Sequence, residues 1–177
     1  MMSHPTPKAV SNPDNVGALL RHFADLRDMT HGEAVTRQDK EALFHEAVEL
    51  LDPYARLALD EIDEALLLNE GSLQSTGVIR SKDNGLACTW TLTWKEQAAF
   101  GIPPITIQAF YGRGFHHPHL RGGTVGEWPL NVFDSAQAAA ELPTLRAIAA
   151  AEIHNLVFLA NYSIVPASKP GTITPSR

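Results

Sequence analysis

The chain has 177 residues, 44% of them hydrophobic and 19% charged, which suffices for one ordinary domain with a continuous core and is too short to argue for two. Fourteen basic against 20 acidic residues leave a formal charge of −6, a field that disfavours nucleic acid, whose binding draws on Lys and Arg neutralising phosphates. The single cysteine, Cys88, excludes an internal disulfide and a thiolate zinc site built within one chain.

Residues 1 to 14 hold three prolines among Ser, His and Asn and predict a flexible lead. This lead has no apolar signal-peptide core, and no later run is apolar for long enough to span a bilayer, so a cytoplasmic location is the expectation. A single domain is then expected over residues 15–165, helical over 15–70, with a sheet and a His- and Gly-rich loop over 74–132 and a helical region over 134–165. Residues 166–177, with three prolines, read as a tail.

In chain order, Asp14 or Asn15 can cap a first helix in which Val16, Leu19, Leu20, Phe23 and Leu26 recur at helical spacing. His22 falls beside that stripe and reads as a surface residue. Thr36 and Asp39 resemble a capping box for a second helix through Leu43, Ala47, Leu50 and Leu51. Asp52 and Pro53 read as the cap and first-turn proline of a third, through Tyr54, Ala58, Ile62 and Leu66. Its Asp60, Glu61, Asp63 and Glu64 suit a solvated face or a surface for a cation or basic partner.

From Thr76 the period becomes two, and Lys82-Asp83-Asn84-Gly85 supplies a hairpin turn. Leu86, Cys88, Trp90, Leu92 and Trp94 alternate with small or polar residues, which sends every large side chain of the second arm to one face. After a loop ending in Pro103-Pro104, a further strand sets Ile105, Ile107, Ala109 and Tyr111 against Thr106, Gln108 and Phe110. The fold class is therefore α+β: N-terminal helices, an antiparallel meander of three to four strands and a C-terminal helix. Asp134 or Ser135 caps that last region, whose face Leu145, Ala149, Ile153, Leu156 and Ala160 points inward, and a short strand is expected at Tyr162 to Val165.

The candidate site is the stretch from Gly101 to Val132, which carries His116, His117 and His119. On an extended backbone His117 and His119 point to one side, and with Glu127 they make a two-histidine, one-carboxylate set suited to iron, zinc or manganese. Glu127 is then ligand or catalytic base, and His154 is a further ligand candidate. The structural alternative has these histidines hydrogen-bonding backbone carbonyls to hold a loop. A third reading makes Gly112-Arg113-Gly114 and Arg121-Gly122-Gly123 a cradle for an anion.

The strand Cys88 to Trp94, the loop through Phe100 to Pro103-Pro104, the strand Ile105 to Phe110, then His117-Pro118-His119 and a terminal helical region resemble the ubiquitin-conjugating enzyme fold over about residues 76 to 160. That family carries a His-Pro-Asn signature before its active site and usually a single N-terminal helix. Here His119 stands in place of the asparagine, Glu127-Trp128 occupies the region of the catalytic cysteine, and Cys88 lies well upstream. The resemblance thus implies a non-catalytic member without thioester chemistry, binding other proteins through Trp128-Pro129 or the sheet. The leading expectation is an accessory or interaction subunit whose partners are other protein chains. The alternatives are a small metal-dependent enzyme using His117, His119 and Glu127 on a small molecule, and an anion-binding module using Arg113 and Arg121.

Overall fold

The computed structural model describes residues 14–171, so the expected lead up to residue 13 and the end of the tail lie outside the described residues. The protein is α+β, with an antiparallel sheet covered on one side by helices. Helix α1 (Asp14–Asp28) and the long α2 (Arg37–Leu66) precede β1 (Ser72–Ser75), β2 (Ile79–Arg80) and β3 (Leu86–Thr93). A short α3 (Lys95–Phe100) leads to β4 (Ile105–Tyr111), β5 (His119–Gly122) and β6 (Gly126–Pro129). Then come α4 (Ser135–Ala140), α5 (Leu142–Leu159) and two single 3-10 turns, Tyr162–Ile164 and Pro166–Ser168.

The strands lie in the order β1-β3-β4-β5-β6, and β2 shares the β3 edge with β1. Alternation sets the register: Cys88 faces Ala109, Trp90 faces Ile107 and Leu92 faces Ile105, so one face of β3 and β4 is wholly apolar. The helices α2 and α5 pack on it. Phe44, Ala47, Val48, Leu51, Ala55, Ala58 and Leu59 supply the buried face of α2, and Leu145, Ile148, Ala149, Ile153 and Leu156 that of α5. The other face carries half-exposed Thr89, Thr91, Thr106 and Gln108. The hairpin turn forms where Asn-Gly is placed, with Asn84 at φ 68° in the left-handed region. Both indoles of β3 and its end find acceptors: Trp90 donates to Asp52 Oδ1 at 2.8 Å and Trp94 to the Ile164 carbonyl at 2.6 Å.

Three local expectations are corrected. The second and third helices are one, because Asp52 does not cap a new start; its carboxylate takes hydrogen bonds from Arg56 and Trp90, and Pro53 sits inside the helix. Proline keeps a helical φ, and the cost of its missing N–H is offset by a core face that continues on both sides of it. The expected strand at Tyr162 to Val165 is a 3-10 turn, since Asn161 Oδ1 accepts from the Ser163 N–H and closes the chain locally. Part of the loop before Pro103 is α3, ended by Gly101 at φ 68°.

Candidate functional site

Helix α1 is inside out. Its apolar positions face solvent, with Leu20 at 54%, Phe23 at 55% and Leu26 at 50% exposure, and Leu19 and Met29 are exposed beside them. The side turned to the protein carries Ala18, Arg21, His22 and Asp25, of which Ala18 and Asp25 are buried. Polar contacts hold that side down. Arg21 donates to Asn131, from Nε to Oδ1 at 2.8 Å and from Nη2 to the carbonyl at 3.0 Å. Asp25 accepts from Asn131 Nδ2 at 3.1 Å, from Thr30 Oγ1 at 3.0 Å and from the Gly32 N–H at 3.0 Å. Asn131 itself is fully buried between them.

Under this helix four histidines from three segments converge. His22 lies edge-on to His117 and His119, with ring centroids 5.1 Å and 5.9 Å away, and His31 lies 6.1 Å from His117. Phe110 and Phe115 wall the group beside His119, at 5.8 Å and 5.9 Å. His117 Nε2 stands 2.8 Å from the Thr30 carbonyl, which can only accept, so Nε2 carries the proton and Nδ1 the lone pair. His31 is buried, with neither ring nitrogen hydrogen-bonded and Asp25 Oδ2 3.8 Å from its Nδ1. Burial pushes the His31 imidazole down to about 4, against the pull of Asp25. Burial is also the first cause lowering His22, followed by its histidine neighbours, and it lowers His117 against the Thr30 hydrogen bond. These three rings are therefore neutral at neutral pH.

The candidate residues of the His- and Gly-rich stretch do not assemble as one site. His117 is buried against Thr30, His119 is half-buried on β5, and Glu127 is exposed on β6. His154 is exposed on α5 and stacks on Phe158 at 4.9 Å. Among the described residues no group of three or more His, Cys, Asp or Glu side chains is placed to hold a metal. The two arginines also part company. Arg121 donates to Gln108 at 2.7 Å and lies over the Phe110 ring at 4.1 Å on the open face of the sheet. Arg113 is exposed on the β4–β5 connection beside Lys40 and Phe115. Trp128 is half-buried and, with Ala18, Leu19, Pro129, Glu141 and Thr144, lines a cavity of about 230 Å3 at the flank of α1.

No protein family, curated protein or solved structure matches the chain.

Sequence reasoning missed His22 and His31 as members of the histidine group, and it missed Glu152, whose buried carboxylate accepts from the Gly123 and Thr124 backbone N–H groups at the β5–β6 turn. Periodicity placed His22 next to an apolar stripe, but only contacts at a distance decide which side of that stripe is buried. Glu152 carried a legible signal: it is a lone carboxylate among apolar residues on the inward side of α5. No helix of the described residues is long and apolar enough to cross a membrane.

Proposed function

We propose that the protein is a non-catalytic interaction subunit that binds a partner protein through the outward face of α1. The observation that supports this reading is the inversion of that helix. Half-burying each of Leu20, Phe23 and Leu26 elsewhere would contribute roughly 1 kcal/mol per side chain, so a helix that instead buries Arg21 and Asp25 leaves this energy for an association. The flanking cavity beside Trp128 and Leu19 suits a single apolar anchor of the partner. Glu33 and Glu127 are exposed on the neighbouring elements, and the chain is acidic overall, so the matching surface has an apolar centre and a basic rim. The accessory role implied by the resemblance to ubiquitin-conjugating enzymes points the same way, although the surface lies on α1 rather than on a Trp128 loop alone.

Photocrosslinking tests the reading. A crosslinking amino acid at Phe23 should capture one protein in cells, the same residue at Thr91 on the open sheet face should not, and Leu20→Asp should abolish the capture. Equal labelling from both positions would sink the proposal. So would vesicles of anionic lipid binding the purified protein in a Leu20-dependent way, since the face would then serve a membrane surface.

A further inference from the structure

A second site lies where the start of α2 meets the β4–β5 connection, in a cleft of about 400 Å3 lined by Val35, Lys40, Glu41, Tyr111, Arg113 and Phe115, among others. Arg37 builds one wall, with four of its five N–H groups already engaged. Its Nη1 donates to the Gly112 and Phe115 carbonyls and its Nη2 to the Tyr111 carbonyl, each at 3.1 Å, while the guanidinium stacks on the Tyr111 ring at 3.5 Å. Glu41 is the carboxylate of this lining, and it is already bound by Arg37 and by a two-pronged contact from Arg80.

Two cations of this lining have no ion-pair partner among the described residues. Lys40 is only 6% exposed, yet among the described residues its ammonium reaches just one acceptor, the Met29 carbonyl at 3.5 Å, a long bond for a group with three donors. A buried ammonium in that state calls for an acceptor. Arg113 is exposed, and its guanidinium has no hydrogen-bond or ion-pair partner among the described residues. His116 lines the same cleft, and Phe115 and Val35 offer half or more of their surface to it and to solvent. The volume is that of a small-molecule site.

We propose that this cleft binds a small organic anion, with its carboxylate or phosphate head on Lys40 and Arg113 and its apolar body against Phe115 and Val35. The site is independent of the α1 surface, and it is not the Arg113–Arg121 cradle, because Arg121 lies on the sheet. Each head oxygen replaces water around a cation that has no ion-pair partner among the described residues, and a charge-assisted hydrogen bond to a carboxylate or phosphate is about twice as strong as a neutral one.

Titration calorimetry of the purified protein with benzoate, phenyl phosphate and benzyl alcohol decides it. One or both anions should bind, the stronger arm identifying the head group, with benzyl alcohol at least about tenfold weaker. Arg113→Ala and Lys40→Met should each weaken the anion at least about tenfold, and Arg121→Ala should leave it unchanged. Should Lys40→Met fail to fold, Arg113→Ala carries the test alone, because an exposed side chain without partners is dispensable for folding. Absence of anion binding at about 5 mM, equal binding of the alcohol, or unchanged binding by Arg113→Ala would overturn the proposal.

Discussion

Thr124 is tied to Glu152 across 28 positions of chain, its backbone N–H donating to Oε2 at 3.0 Å and its hydroxyl donating to the same oxygen. Oε1 takes the Gly123 N–H. A fully buried carboxylate of α5 thus closes the β5–β6 turn, and Gly122 permits the approach, since a Cβ there would meet Oε1 at 2.8 Å. Glu152→Ala leaves two amides and a hydroxyl without their acceptor, and we expect a loss of roughly 2–4 kcal/mol in urea unfolding. Gly122→Ala should also destabilise, and amide exchange should speed up first at Gly123 and Thr124.

The histidine group makes stability depend on pH. His31, His22 and His117 titrate lower in the folded protein than the 6.5 of a free imidazole, so below that value the unfolded chain binds more protons. Their contribution is complete above pH 6.5 and is lost as the pH falls toward the value of about 4 for His31. For His31 alone this amounts to ~3 kcal/mol. The urea midpoint should therefore drop between pH 7 and pH 4.5, and His31→Leu should flatten that slope. An unchanged slope would refute the assignment.

Asn131 anchors α1, so Asn131→Ala should release the helix without unfolding the sheet. It removes the Oδ1 acceptor of Arg21 Nε and the Nδ2 donor to Asp25, while the backbone carbonyl that accepts from Arg21 Nη2 remains, at an expected cost of about 2 kcal/mol. Hydrogen exchange should show α1 losing protection while β3 and β4 keep theirs. Leu20→Ser with Phe23→Ser, by contrast, should change stability by less than about 0.5 kcal/mol, as both side chains face water.

Pro53 interrupts α2 without ending it. Pro53→Ala restores an N–H inside the helix, and the thermal midpoint should rise, with a gain on the order of 1 kcal/mol. Asp52 is the neighbouring control: burial pushes its carboxyl up, but hydrogen bonds from Arg56 and Trp90 outweigh this and hold it below its ordinary range. Asp52→Ala strands the buried Trp90 N–H and should cost about 1–2 kcal/mol, measured by urea unfolding.

Features controlled by near neighbours were legible in the residues alone. The alternation from Leu86 to Trp94 matches β3 and its buried face, Asn84-Gly85 makes the turn, and Asp134 caps α4 through the Gln137 N–H. The inward face of α5 likewise followed from its spacing. Each of these depends on residues within about four positions, where periodicity and capping operate.

Which side of α1 is buried follows from long-range packing, because the deciding contact, Arg21 to Asn131, spans 110 positions. The histidine group is likewise held by a contact over 87 positions, His117 to Thr30, which no local pattern encodes. The same reason separates Arg113 from Arg121, only a few residues apart along the chain: β5 is paired to β4 and turns Arg121 onto the sheet, while Arg113 stays on the connection over α2. Local order is written in spacing, whereas a site is written in which distant surfaces exclude water from each other.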